Sequence, residues 1–397
     1  MNNEIGNWVG NRVIGLSSNC SGSLKCSVVQ FPLPDSPQIL LIRLREIGDV
    51  VLTTPAVRGL RERFPGAHLA YLVEPLAAPI VTSNPHIDEL IVAPRRHLFS
   101  DWALGRRLRR RRYDLAIDFH GGPRASLLTW LSGAPVRVGY DVAARGWMYT
   151  HRVARPRELR PRHAVQNQWD LLSALGMAAP DPHMFPVEMP TDPTAASAVA
   201  ARLRQAGMRP TSHIVVVHVS AGNPFRRWPR SAFAALVAAM ASREAETRVI
   251  VTSGPSERDA AVSVAADARA ALPVTLRERV VAVGDFSLAE LRALLDRAAL
   301  YIGGDSGPLH IAATTTIPVV ALYGPTLPVR SEPWRDRALV TESVETLGLE
   351  CRPCDQRTCV PGDFRCLTRI TPEAVLAAAE RALARAPARA WRSEEPV

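Results

Sequence analysis

Apolar residues along this chain fall into two textures. Short unbroken apolar blocks alternate with longer stretches in which apolar positions recur at helical spacing. The blocks predict strands buried on both faces of a parallel sheet, and the periodic stretches predict amphipathic helices. From Gln38 the order is a strand at "ILLIRL", a helix over 50–64, a strand at "AHLAYLV", a helical turn over 75–82 and a strand at "DELIVA". A basic helix ending at Arg112, a strand at "YDLAIDF", a helix over 125–131 and a strand over 136–140 complete this unit.

The pattern weakens over 146–190, where one helix is predicted near 166–175 and the Pro-rich "PDPHMFPVEMPTDP" reads as a linker. A second alternation follows. Its strands are "HIVVVHVSAG", "TRVIVTSG", "RVVAVGD", "ALYIGGDSG" and "IPVVALYG". Its helices are 231–243, one from 257, "SLAELRALLDRA" and 308–315. Ser287 with Glu290 three residues on forms a capping box. Thr371 followed by Pro372 opens a last helix.

Strand–helix alternation repeated twice predicts an α/β protein of two Rossmann-like domains, with parallel sheets facing each other across a cleft. The expected divisions are an N-terminal extension expected to be disordered (1–36), a first domain (37–188), a second domain (189–370) that includes the cysteine cluster, and a C-terminal helix and tail (371–397). The length of 397 residues suits two domains of ordinary size.

Composition narrows the class. At 47% hydrophobic and 22% charged the chain reads as a globular protein. No apolar run reaches the roughly 18–20 residues of a membrane span. The first residues lack a basic segment followed by an apolar core, so a cytoplasmic protein is expected. The net charge of +10 comes mostly from arginine, as in "RRLRRRRYD" over 106–114. Either this is a solvated helix face or it meets an anionic partner, such as a membrane surface or a phosphorylated substrate. Stacking motifs and zinc-finger spacings are missing, so nucleic acid is not expected.

The first candidate site is "LIRLREIGDVVLTTPAV", over 41–57. A strand runs through a short loop into Asp49. The carboxylate either caps a helix or serves as a base at a cleft mouth. Pro55 predicts a helix that kinks or begins near Thr54, leaving Gly48 and Asp49 in a strand-to-helix loop.

The second is "GGDSGPLHIAA" over 303–313. Gly303, Gly304 and Gly307 let a ligand approach the backbone, and a helix start favours a phosphate. Asp305, Ser306 and His310 add polar groups. The alternative is a Gly-rich turn with an ordinary cap. In "SAGNPFRRWP" Arg226 and Arg227 either clamp a diphosphate or are solvated. In "TSGPSERD" Glu257 either holds ribose hydroxyls or complements a helix dipole.

In order along the chain, "RLREIGDVVLTTPAVRGLRERFPGAHLAYLVE", "RRYDLAIDFHG", "RRWP" and "GGDSGPLHIAA…PVVALYGPT" resemble the ADP-heptose:lipopolysaccharide heptosyltransferases, glycosyltransferase family 9. The resemblance runs over about 38–370. It implies a GT-B fold, an inverting mechanism and no metal required for catalysis. It implies Asp49 as catalytic base, and Arg226, Glu257, Asp305, Ser306 and Gly307 on the donor ADP-heptose; His310, one turn into the helix, is either packed or joins them at the phosphate. Arg45, Gly48, His120 and Arg124 are then assigned to the acceptor, a lipopolysaccharide core bearing Kdo or heptose on lipid A. Peripheral contact with the inner face of the cytoplasmic membrane is expected. A second sugar nucleotide or glycan acceptor within the same fold is the nearest rival. A nicotinamide-dependent oxidoreductase lacks its G-x-G-x-x-G, and a non-catalytic nucleotide-binding scaffold is the third reading.

Cys351, Cys354, Cys359 and Cys366 follow as C-x2-C-x4-C-x6-C. This spacing allows a structural zinc site but departs from paired knuckles, so free thiols or a redox-labile pair are preferred. A structural role is expected for the segment.

Overall fold

The computed structural model describes residues 12–14, 33–94, 98–154, 162–281 and 283–386. The extension expected over 1–36 lies outside the described residues except at 12–14 and 33–36.

Two parallel sheets form the frame. The first contains β1 (Arg12–Ile14), β2 (Gln38–Ile42), β3 (His68–Val73), β4 (Glu89–Val92), β5 (Leu115–Asp118), β6 (Val136–Tyr140) and β7 (His151–Val153), in the order β1-β7-β6-β5-β2-β3-β4. The second contains β8 (His213–His218), β9 (Thr247–Thr252), β10 (Val280–Val281), β11 (Leu300–Gly304), β12 (Val319–Tyr323) and β13 (Thr341–Glu345), in the order β10-β9-β8-β11-β12-β13. Both are doubly wound. The chain moves outward from β2 through β3 to β4, then returns to β5 on the other side of β2. The second sheet repeats this from β8 to β11. Each sheet therefore has a switch point, at β2/β5 and at β8/β11, where loops diverge and leave a crevice.

Apolar blocks become central strands because helices cover both faces. Ile39, Leu40, Leu41 and Ile42 are all fully buried. The capping box is present: Ser287 Oγ accepts from Glu290 N at 3.2 Å and Glu290 accepts from Ser287 N at 2.8 Å. Thr371 accepts from Ala374 N at 3.2 Å and starts the helix Pro372–Arg385. That helix packs on the second sheet rather than standing apart, through Val375, Ala378 and Ala379.

The Pro-rich stretch is a fixed strap. Glu188 N donates to Thr54 Oγ1 at 2.8 Å, while the Glu188 carboxylate meets Arg58 and His86. From the second domain, Arg292 Nε donates to Met189 O at 2.9 Å and Val187 N donates to Trp334 O at 3.0 Å. One buried cluster runs through this region and includes Leu41, Trp169, Met189, Leu294 and Ile311. The domains are thus joined through shared apolar contacts as well as by the chain.

Several elements escape the sequence pattern, β1 among them: it lies within the extension expected to be disordered and pairs in parallel with β7. β7 and β13 lie towards sheet edges and lack apolar blocks. The helix Pro193–Gln205 starts inside the Pro-rich stretch, where Asp192 caps it by accepting from Ala195 N at 2.7 Å.

Candidate active site

The β2 strand ends at a buried arginine. Arg43 is 8% exposed. One guanidinium nitrogen donates to Phe119 O at 2.6 Å and another donates to the carboxylate of Asp49. A charge at this depth demands a partner. Asp49 supplies it while keeping its side chain 37% exposed.

Asp49 sits in a short helix, Ile47–Val51, entered through Glu46 at φ 65°. A positive φ at a non-glycine residue is strain of the kind found beside functional sites. Asp49 lies in the first turn of its own helix, not in the expected open loop, and its side chain caps nothing. The helix breaks after Val51, and a second helix, Thr54–Arg63, begins with Pro55 in its first turn. Two groups hold the Asp49 backbone: Thr53 Oγ1 donates to its carbonyl at 2.7 Å and Gln168 Nε2 at 3.5 Å.

The β5 strand ends at Asp118, fully buried. It accepts from the backbone N of His120 and of Gly121, at 2.8 and 2.9 Å, and from Tyr149 Oη at 2.6 Å. Burial raises the Asp118 pKa, opposed by these bonds and by Arg43. His120 therefore stands in a rigid turn beside the switch point. Arg124 is committed elsewhere. It forks onto Asp101 at 2.7–3.2 Å and reaches Glu74 at 2.9 Å, with its side chain 10% exposed. It braces the wall of the cleft instead of facing it.

Across the cleft, β11 delivers Asp305, 2% exposed. Its Oδ2 accepts from Thr326 Oγ1 at 2.6 Å and faces Arg226 at 3.2 Å. Ser306 precedes the helix Gly307–Ala313 without capping it by its side chain. Asp305 Oδ1, Ser306 Oγ and His310 Nδ1 are buried without a hydrogen-bond partner. Three such atoms across one loop and the first turns of its helix mark an edge shaped for ligand contacts. Burial lowers the His310 pKa, opposed by Asp305 and then by Asp49, so His310 lies in the field of both carboxylates.

Glu257 is 11% exposed in its side chain and pairs with Arg227 Nε at 2.7 Å. Burial raises its pKa against that arginine. The two arginines of "RRWP" thus diverge: Arg226 to Asp305 and Arg227 to Glu257. Beneath them His218 lies between Thr252 Oγ1 at 3.0 Å and Ser220 Oγ at 2.9 Å, and Ser220 Oγ accepts from Gly254 N at 2.7 Å.

The two switch points meet. The helix Ile47–Val51 abuts the helix Gly307–Ala313, and a Cβ on Gly307 would lie 2.9 Å from Ile47 Cγ2. Beside this contact opens a cleft of about 440 Å³. Arg45, Gly48 and Glu74 line it from the first domain; Ser220, Glu257, Ser306 and Gly307 line it from the second. Glycine at 48 and 307 lets two helix starts approach across a shared cavity.

The cysteine-bearing segment is part of this edge. Gln356 Oε1 accepts from Arg226 Nε at 2.7 Å and Asn223 Nδ2 at 3.0 Å. Arg352 donates to Thr326 O at 2.6 Å, next to the Asp305 contact. The four thiols are free and line a cavity of about 40 Å³ with Phe225 and Phe364. Among the described residues no group of three or more His, Cys, Asp or Glu is arranged to hold a metal ion.

Sequence reasoning missed Arg43, Asp118, His218 and Gln356. Arg43 and Asp118 were signalled by a charge inside an otherwise apolar strand. Gln356 gave no local signal, because its role arises from the docking of a distant loop.

The description glycosyltransferase family 9 (heptosyltransferase) belongs to a family model that matches residues 101–364. Lipopolysaccharide heptosyltransferase 3 of Escherichia coli is 29% identical over 308 residues, covering 75% of this chain and 86% of that protein. Two solved structures share the fold. A family 9 glycosyl transferase from Veillonella parvula has a TM-score of 0.74 at 23% identity, over 88% of this chain and 98% of that one. The ADP-heptose lipopolysaccharide heptosyltransferase II of E. coli has 0.70 at 20%, over 88% and 99%.

Proposed function

The chain belongs to glycosyltransferase family 9, and from that premise we propose that it transfers heptose from ADP-heptose to a lipopolysaccharide core acceptor with inversion at the anomeric carbon. One observation carries the assignment of roles: Asp49 and the Asp305–Gly307 loop stand at the two switch points, and the packing of Gly48 and Gly307 holds them beside one cleft.

Asp49 takes the proton from the attacking acceptor hydroxyl. Such a carboxylate is a weak base towards a free alcohol, but the hydroxyl acidifies as the new bond forms. The departing diphosphate gains negative charge. Arg226 and the N–H groups at the start of the helix Gly307–Ala313 receive it. The reading assigns no step to a metal. Glu257 takes the ribose, with Arg227 ready to exchange partners. Arg45, 63% exposed in its side chain, faces the acceptor. Work at the inner face of the cytoplasmic membrane follows from a lipid-borne acceptor, and no helix among the described residues is long and apolar enough to span a membrane.

Asp49→Ala tests the reading. Transfer from ADP-heptose to truncated core acceptors, read by product mass, should fall by at least about a hundredfold, while ADP binding by calorimetry persists. Undiminished turnover would remove Asp49 as the base. Product with another sugar nucleotide alone would replace the donor.

A further inference from the structure

One face of the first domain is left unexplained by transfer chemistry. The helices Leu98–Arg110 and Pro123–Leu131 pack on one face of the first sheet, where Leu104, Leu108, Ala125 and Leu128 join Leu40, Ile42 and Ala116 in one buried cluster, and the turn Gly146–Met148 lies against the second helix. Trp102, Trp130 and Trp147 are 56%, 38% and 57% exposed on them. Trp130 and Trp147 meet edge to face at 5.7 Å. Trp102, Arg106, Arg109 and Arg110 share one helix face by their spacing, and all are exposed. No ion pair is found for these three arginines among the described residues, whereas Arg107 and Arg111 meet Glu89. The Arg109 stem crosses Gly133, so the stripe continues towards Trp130.

This is a surface of indoles and unpaired guanidinium groups. A face turned only to water has no use for three exposed tryptophans, and a nucleotide site would be concave. Indoles settle at the headgroup level of a bilayer, and free arginines draw anionic headgroups. The stripe also reaches the cleft. Asp101, beside Trp102, holds Arg124, which holds Glu74 on the cleft wall.

We infer that this face docks on an anionic lipid bilayer, with Trp102, Trp130 and Trp147 entering the headgroup layer and Arg106, Arg109 and Arg110 meeting its phosphates. The docking holds the acceptor side of the cleft beside the lipid surface, so a lipid-linked acceptor enters without leaving the bilayer. The inference deepens the proposed function, since it supplies the partner surface for that acceptor.

The test uses the full chain with vesicles of phosphatidylcholine, alone or mixed with phosphatidylglycerol. Cosedimentation and a blue shift of tryptophan emission should appear with the anionic vesicles and weaken with salt. Arg106→Glu/Arg109→Glu/Arg110→Glu and Trp102→Ser/Trp147→Ser should each lower binding by about tenfold or more. Both should keep wild-type transfer to a soluble, deacylated core oligosaccharide. That soluble assay reads the heptosyltransferase assignment separately from docking. Absent binding to anionic vesicles, or binding indifferent to both variants, overturns the inference. So does a change from dimer to monomer in the tryptophan variant, which would make the face a contact between two copies.

Discussion

Gly48 lies flat against the ring of His310: a Cβ added there would stand 2.7 Å from His310 Cδ2. This contact joins the helix carrying Asp49 to the helix that follows Asp305. Gly48→Ala should force the two helix starts apart. Overpacking of this kind costs about 1–3 kcal/mol. Displacing a reacting group by about 1 Å costs up to about a hundredfold in rate. The expected result is a kcat/KM lowered by about ten- to a hundredfold with a modest fall in Tm. Steady-state kinetics and thermal unfolding on the same preparation decide it. Unchanged kinetics would mean that the domains close differently during turnover.

Arg43 positions Asp49 from behind, out of the cleft. Arg43→Met should leave the carboxylate free to rotate and remove its buried cation. A drop of about tenfold or more in kcat is expected, with KM for ADP-heptose nearly unchanged, because Arg43 lies on the acceptor domain. Arg43→Lys should restore only part of the rate, since one ammonium cannot match the planar fork that serves both Phe119 O and Asp49. A KM effect larger than the kcat effect would contradict the positioning role.

Gln356 ties the cysteine-bearing loop to Arg226. Removing it strips a hydrogen bond from a charged group, a change worth about 1.5–3 kcal/mol when fully buried and less here. Gln356→Ala should therefore raise KM for ADP-heptose by about three- to tenfold with a smaller change in kcat. Titration of ADP by calorimetry should show the same weakening. Equal ADP affinity in variant and wild type would limit the loop to a structural role.

The fold was legible because its strongest signals are local. Buried parallel strands need continuous apolar blocks, and caps such as Ser287 with Glu290 declare helix starts. Strand β13 was hidden because edge strands tolerate polar residues, and β7 because three residues are too few to show a pattern. Asp49 was singled out from the sequence but misplaced in its local structure. Pro55 correctly indicated a helix beginning near Thr54, yet nothing local announced the separate turn Ile47–Val51, whose stability comes from packing on the second domain. Arg124 illustrates the converse. It was assigned to the acceptor, and in the fold Asp101 and Glu74, distant in sequence, claim the guanidinium. Pairings of this kind are set by topology and leave no trace in spacing.

Acid should unfold the protein through two histidines. His163 caps the helix Ala164–Ser173 by accepting from Val165 N, and its Nε2 meets Glu332 O at 2.8 Å across the domains. His218 sits beneath the cleft. Burial brings each from 6.5 down to about 4. The neutral form is thus favoured in the folded state. Above pH 6.5 neither state binds the proton and the full stability is present. As pH falls below 6.5 the unfolded chain takes up protons that the folded chain refuses, and stability is lost until about pH 4. At pH 5 the loss is about 2 kcal/mol for each histidine. Carboxylates such as Asp88 and Glu290, whose pKa values are lowered in the fold, lose their contribution at the acid end, as pH falls past their ordinary values of 3.8 and 4.5. Urea unfolding at pH 7 and pH 5 should therefore show a fall to which these two histidines bring about 4 kcal/mol, with the lowered His310 adding to it and the raised carboxyls of Asp118 and Glu257 offsetting part. His218→Asn should shrink the pH 7 to 5 difference by about 2 kcal/mol even if it lowers stability at both pH values. An equal pH dependence in the variant would mean that other groups control the acid transition.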